Sequence, residues 1–260
     1  MTVSTLLWCL LTAFCIAQIS TFATTIYLHR GVTHQALKLH PAVGFLMHLA
    51  LAMGTGIVPR EWAAVHRKHH RFSDQEGDPH SPYIEGLWKV LFLNVVMYRN
   101  EIRNPDTIRT FALNWKDDLI DKVPCIGTIG PATGMISLAL FLPWFLGVDF
   151  WLGSILGIAT WWVNAALYIF LNAMINSVCH KVGYRNFDNL ATNLQWVALI
   201  TAGEGLHNNH HQFPMSARMK AKTLEIDPAW FVIRVLEKLK LAEYRKSTLA
   251  TVGVDAEQVA

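Results

Sequence analysis

The sequence predicts an all-α integral membrane fold, with few transmembrane helices and a cytoplasmic helical cap. Three observations carry that prediction. Of 260 residues, 52% are hydrophobic and only 16% charged, a balance typical of membrane proteins. None of the 22 Lys and Arg residues precedes Arg30 or lies between Lys122 and Lys181, and those gaps hold the long apolar runs. Most of the ten tryptophans sit near the ends of apolar runs, where amphipathic rings favour the membrane–water interface. The net charge of +3 is small, and no nucleic-acid partner is expected.

Taken in order, residues 6–28 form an apolar run long enough to span a bilayer. It lacks the basic leader and small-residue cleavage pattern of a secretory signal and reads as a retained anchor. Residues 42–58 are different: Pro41 opens the stretch, His48 interrupts it, and Gly54 and Gly56 weaken it. At ~1.5 Å per residue it would barely cross a ~30 Å core, and crossing would separate His29 and His34 from His66, His69 and His70. It is therefore expected to re-enter or to lie at the interface. Residues 127–146 and 150–173 are two further spans joined only by Gly147-Val148-Asp149, which makes a helical hairpin. Its turn carries no Lys or Arg, so the positive-inside bias puts the turn outside and the basic segments in the cytoplasm.

Between Arg71 and Lys122 the chain is mixed and charged, punctuated by Pro79, Pro82 and Pro105, and reads as cytoplasmic helices and loops. Asp227-Pro228 is a helix start, with an acid at the N-cap and Pro at the first helical position. The Trp230, Phe231, Ile233, Val235, Leu236 and Leu239 that follow, with Arg234, Lys238 and Lys240, suggest an amphipathic helix on the membrane surface. A single membrane domain over residues 1–246 and a flexible tail at 247–260 complete the organisation. Cys9, Cys15, Cys125 and Cys179 lack C-x-x-C spacing and read as small apolar fillers.

The chemistry-bearing feature is the histidines, twelve in all. His29 and His34 lie in HRGVTH, His66, His69 and His70 in HRKHH, and His207, His210 and His211 in HNNHH, with His180 in NSVCH apart from them. Residues four apart share a helix face, so His66 pairs with His70 while His69 points elsewhere, and His207 pairs with His211 while His210 is the odd one out. Two boxes that each split two-and-one can serve two metal ions. One ion takes His66, His70 and His210, completed by His29 and His34; the other takes His69, His207 and His211, completed by His180. Four or five imidazoles suit a transition metal, and neutral imidazole binds metal near an apolar phase without the desolvation cost of clustered carboxylates. The cap thus holds a di-metal site. His40, His48 and His80 read as hydrogen-bonded residues rather than ligands. The sequence contains no P-loop, G-x-S-x-G, H-E-x-x-H or G-x-G-x-x-G motif.

HRGVTH, HRKHHRFSDQEGDPH, NSVCHKVGYR and GEGLHNNHHQFP resemble the histidine boxes and flanks of the Δ9-type membrane fatty-acyl desaturases, over about residues 28–245. The resemblance implies a mushroom-shaped helical fold, two iron ions (Fe2+/Fe3+) held by the nine histidines named above, and Asn176 reaching its iron through a water. It implies O2-dependent insertion of a cis double bond into a long-chain acyl group, the oxidoreductase reducing O2 to water. The acyl group would sit on a lipid, a carrier protein or CoA. Trp62, Trp161, Trp162 and Trp196 then stand either as walls of a substrate tunnel or as simple packing. Hydroxylase, acetylenase or terminal desaturase outcomes share this chemistry.

Two departures matter. Only one span precedes the first box, which places the N-terminus on the outer face or the true start upstream. Ala64-Val65 stands where acyl-CoA-using animal members carry Arg-Asp, which favours a lipid or carrier-protein substrate. Electrons require a separate donor such as a ferredoxin or small cytochrome, for which Arg67, Lys68, Arg71 and Lys181 offer a basic docking face or lipid-headgroup contacts. Readings from other classes are a haem-binding membrane electron carrier, which needs two axial histidines per haem, and a membrane zinc protein, since imidazole sites accept zinc as well as iron.

Overall fold

The computed structural model describes residues 2–113 and 115–244, so the expected tail lies outside the described residues. Helix α1 (Val3–Ala23) continues without a break into a π-helical segment, Thr24–Thr33, giving one apolar rod of 31 residues. Helices α2 (Pro41–Thr55) and α3 (Pro59–Phe72) follow, then α4 (Leu87–Ile102) and the short α5 (Pro105–Phe111). The hairpin is α6 (Ile126–Leu146) and α7 (Phe150–Ser177), the latter extended by a 3-10 turn, Val178–His180. Short helices α8 (Gln195–Ile200) and α9 (His207–Gln212) and the amphipathic α10 (Pro228–Lys238) follow among the described residues. Among the described residues, three helices are long and apolar enough to cross a membrane: residues 3–33, 126–146 and 150–180.

The spans are inside-out relative to a soluble bundle. Their exposed side chains are large and apolar, among them Leu7, Phe14, Ile129, Trp151 and Ile155, whereas the faces they turn to one another are small. Cys9, Ala13 and Ala17 recur every four residues on α1 and are buried. On α7, a Cβ at Gly157 would lie 2.4 Å from the Leu138 carbonyl oxygen of α6. Where lipid tails are as apolar as leucine, such close backbone approach supplies the packing energy. At the hairpin turn the Asp149 carboxylate accepts from the Trp151 and Leu152 amides at 3.0 and 3.1 Å, capping α7.

Helices α2 and α3 are bent by 87° at Gly56-Ile57-Val58. Gly56 makes that corner with φ 73°, and a Cβ there would lie 2.5 Å from Pro131 Cγ, so no other residue fits. The bend sends α3 off the axis of α2 and toward the C-terminal end of the first rod.

The all-α expectation needs one amendment. Leu37–Leu39 (β1) and Ala242–Tyr244 (β2) form an antiparallel pair, Leu37 opposite Tyr244, which ties the segment after the first box to the end of the described chain. Asp227 does more than cap α10, where it accepts from the Trp230 amide at 3.1 Å. Its two oxygens accept from the Arg30 guanidinium, each at 3.0 Å, and both side chains are buried. Arg30, the second letter of the first box, is thus a clamp holding α10 against the π-helical segment.

Candidate metal centre

The first box owes its alignment to unusual winding. On an α-helix, residues five apart diverge by about 140°. In the π-helical segment each amide reaches five residues back, and the His34 amide donates to the His29 carbonyl at 3.0 Å. His29 and His34 consequently project together, their ring centroids 4.9 Å apart. On α3, His66 and His70 share a face with centroids 4.6 Å apart, and on α9 His207 and His211 do the same at 4.5 Å.

These elements converge into two groups. His29, His34, His66, His70 and His210 each bring a ring nitrogen within 4.8 Å of the others, and so do His69, His180, His207 and His211. The contacts within each group run between Nε2 atoms: 3.0 Å for His29–His210, 2.9 Å for His34–His66 and His70–His210, 3.3 Å for His69–His211 and 3.1 Å for His207–His211. Ligands set at right angles on a metal with ~2.0–2.1 Å bonds to nitrogen would lie about 3.0 Å apart. The division of the histidines follows the two-and-one spacing of the second and third boxes.

The opposite ring nitrogens fix the tautomers. His29 Nδ1 donates to Glu204 at 2.7 Å, His69 Nδ1 to Asp78 at 3.0 Å and His180 Nδ1 to Asp74 at 2.7 Å. Each Nε2 is then left with a bare lone pair aimed inward, and His180 Nε2 is buried without a hydrogen-bond partner. The side chains of Asp74, Asp78 and Glu204 are themselves buried and, among the described residues, form ion pairs only with these histidines. Three buried carboxylates and converging lone pairs call for positive charge between the rings. Burial, then the neighbouring imidazoles, hold His207, His210 and His211 well below the ordinary histidine range, so their rings are neutral donors. The residues fit two transition-metal ions.

The third box sits on a helix of six residues, too short to persist alone. Its two asparagines hold it. Asn208 Oδ1 accepts from the Asn186 and Phe187 amides at 2.7 and 2.9 Å, and Asn209 Nδ2 donates to Glu225 and the Met219 carbonyl at 2.9 and 3.0 Å. Asn208→Ala leaves the half-buried Asn186 and Phe187 amides without their acceptor, at about 1 kcal/mol each. Thermal unfolding is expected to show a variant destabilised by at least about 2 kcal/mol.

A cavity of about 820 Å³ opens beside the histidines. It runs along α7 from Asn176 to Trp161 and also touches His29, His66 and His207, about 22 Å of helix. Trp62 lines it and stacks on His66 at 4.6 Å. Trp161 lines it with Nε1 donating to the Met53 carbonyl at 2.9 Å. Trp162 touches it but is 60% exposed on the outer face of α7. Trp196, on α8, is 53% exposed and lies outside this lining, so its reading as a tunnel wall is corrected. His80 stacks on His69 at 4.5 Å and borders the cavity. His40 caps α2 by accepting from the Ala42 amide.

The basic face also needs correction. Arg67 is spent on the Thr33, Val32 and Phe111 carbonyls, and Lys68 pairs with Glu101 at 2.7 Å. Lys181 lies 3.3 Å from the Tyr83 ring centroid, and Arg71 is exposed. The residues that sequence reasoning missed are the carboxylates and asparagines around the histidines. Their letters stand inside the boxes and flanks, in FSDQEGDPH, GEG and HNNHH.

A family model described as fatty acid desaturase matches residues 4–224. An acyl-CoA 5-desaturase, AL21, of Anemone leveillei is 31% identical over 250 residues, covering 90% of this chain and 70% of that relative. Delta-9 acyl-lipid desaturase 2 of Arabidopsis thaliana is 29% identical over 225 residues, covering 84% and 68%. The chloroplastic palmitoyl-monogalactosyldiacylglycerol delta-7 desaturase of the same plant is 32% identical over 232 residues, covering 84% and 56%.

Proposed function

The chain belongs to the fatty acid desaturase family, and from that premise we propose that it inserts a cis double bond, Δ9-like in position, into a long-chain fatty-acyl group at a pair of iron ions. As a family member it is a fatty-acyl desaturase, an oxidoreductase. The observation that carries the proposal is the pair of inward-facing Nε2 groups beside the cavity of about 820 Å³ that runs along α7. When bound, the irons supply O2-dependent, two-electron oxidation of adjacent methylenes, with O2 reduced to water.

The rest is the work of this chain's residues. Nine imidazoles are the ligands, Asn176 acts through a water, and Asp74, Asp78 and Glu204 orient the rings. Trp62 packs the reacting end of the cavity against His66, and the walls below it hold the acyl chain away from water. A re-entrant α2 and a catalytic cap on the cytoplasmic side agree with the first two boxes meeting at one end of the spans.

The relatives named above act at three different positions and on both lipid and CoA carriers, so the Δ9 reading rests on the box flanks. Ala64 and Val65 are buried and offer no charged headgroup contact, which favours an acyl lipid or carrier protein over acyl-CoA. A separate ferredoxin or small cytochrome supplies electrons, with Arg71 and Lys181 left as its basic contacts.

Expression in a host lacking unsaturated lipids, with mass-spectrometric location of double bonds, tests the reaction. A new cis double bond mid-chain is expected; hydroxylated chains without one would contradict it. Ala165 lines the cavity, and Ala165→Leu is expected to shift the product profile toward shorter acyl chains by on the order of 10-fold, with bound iron unchanged.

A further inference from the structure

His48 stands on the apolar helix α2. His48 is 0% exposed and meets two carboxylates from the segment that leads into α6. Nδ1 lies 2.6 Å from Asp118 Oδ2, and Nε2 lies 3.9 Å from Asp121 Oδ1. The Tyr27 hydroxyl donates to the same Asp118 oxygen at 3.2 Å, and its ring stacks on His48 with centroids 5.3 Å apart.

The two sides of the imidazole differ. On the Nδ1 side the distance is that of a hydrogen bond, with Asp118 accepting. Asp118 Oδ1 in turn accepts from the Ile120 and Asp121 amides at 2.7 and 3.0 Å, so this carboxylate is fixed. That assignment leaves Nε2 as a bare lone pair, and it is buried without a hydrogen-bond partner. The group it faces, Asp121 Oδ1, is also an electron-pair donor, and 3.9 Å is too long for a hydrogen bond. Nitrogen and oxygen ligands at ~2.0–2.2 Å on one tetrahedral ion lie about 3.3–3.5 Å apart, so a shift of a few tenths of an ångström brings both atoms onto one cation. Among the described residues, Asp118 and Asp121 form ion pairs with no Lys or Arg.

We propose that His48 Nε2 and Asp121 Oδ1 bind a divalent transition-metal ion, with zinc the fitting class, at a site separate from the two histidine groups. Asp118, accepting from Nδ1–H, orients the ring as carboxylates do behind metal-bound histidines. The site ties α2 to the segment preceding α6 and, through Tyr27, to the π-helical segment that carries the first box. It shares no residue with the iron ligands, so occupancy of the two can be read independently.

The test uses full-length protein purified in detergent, loaded with iron, exposed to zinc chloride, desalted and analysed for both metals. The wild type is expected to retain one equivalent of zinc that Asp121→Asn and His48→Gln lack, with iron content equal in all three. Zinc is also expected to raise the melting temperature of the wild type and leave that of Asp121→Asn unmoved. Zinc content equal in wild type and Asp121→Asn would overturn the proposal, as would zinc taken up only where iron is lost.

Discussion

Replacing either His70 or His211 with alanine is expected to abolish turnover, a loss of at least about 10²-fold, since even partners behind metal ligands cost 10–100-fold. The two substitutions strike different groups: His70 Nε2 lies 2.9 Å from His210 Nε2 in one, His211 Nε2 3.1 Å from His207 Nε2 in the other. Each removes a face-sharing partner from its group. Bound iron should therefore fall from two per chain toward one in each variant, measured by metal analysis on purified protein. His40→Ala is the control. That side chain is exposed and stands outside both groups, so activity and iron should be retained.

The second large effect is expected from a residue that binds no metal. Asp78 accepts from His69 Nδ1 through both carboxylate oxygens at 3.0 Å, and it also accepts from the Asp74 and His80 amides. Asp78→Asn keeps the shape but removes the charge that makes His69 a stronger donor. Metal affinity of the group holding His69 should drop about 10–100-fold. The measurement is the rate at which a chelator strips iron: one of the two ions should leave faster than in the wild type, the other at the same rate. Equal rates for both ions in the variant and wild type would show that Asp78 only shapes the loop.

Much of this arrangement was legible in the letters. The i, i+4 pairs within HRKHH and HNNHH divide each box two-and-one on any regular helix, and the structure brings the histidines together in that division. The gaps in Lys and Arg marked the three long apolar helices, with ends shifted by a few residues. What was not legible has physical causes. The five-residue spacing of His29 and His34 is out of phase on an α-helix and comes into phase only through π-winding, which no local propensity announces. Asp74, Asp78 and Glu204 stand next to the boxes, yet a carboxylate there reads equally as a solvated loop residue until its distance to a ring is known. The β1–β2 pair joins segments some 200 residues apart and is too short to show alternation. Arg67 and Lys68 looked like a docking face because charge near a membrane edge does not reveal its partners.

Arg30 and the asparagines of HNNHH bind no metal in this account, yet they hold the π-helical segment and the six-residue α9 against the remainder of the chain. Their letters fall inside the motif because the ligands need a rigid frame as much as they need the right chemistry.

The central claim is that the two histidine groups hold a pair of non-haem iron ions. Mössbauer spectroscopy and metal analysis of full-length protein, purified from cells grown on 57Fe, test it most directly. Two irons per chain with a non-haem signature and no Soret band are expected. A single iron per chain, or iron present as haem, would contradict it.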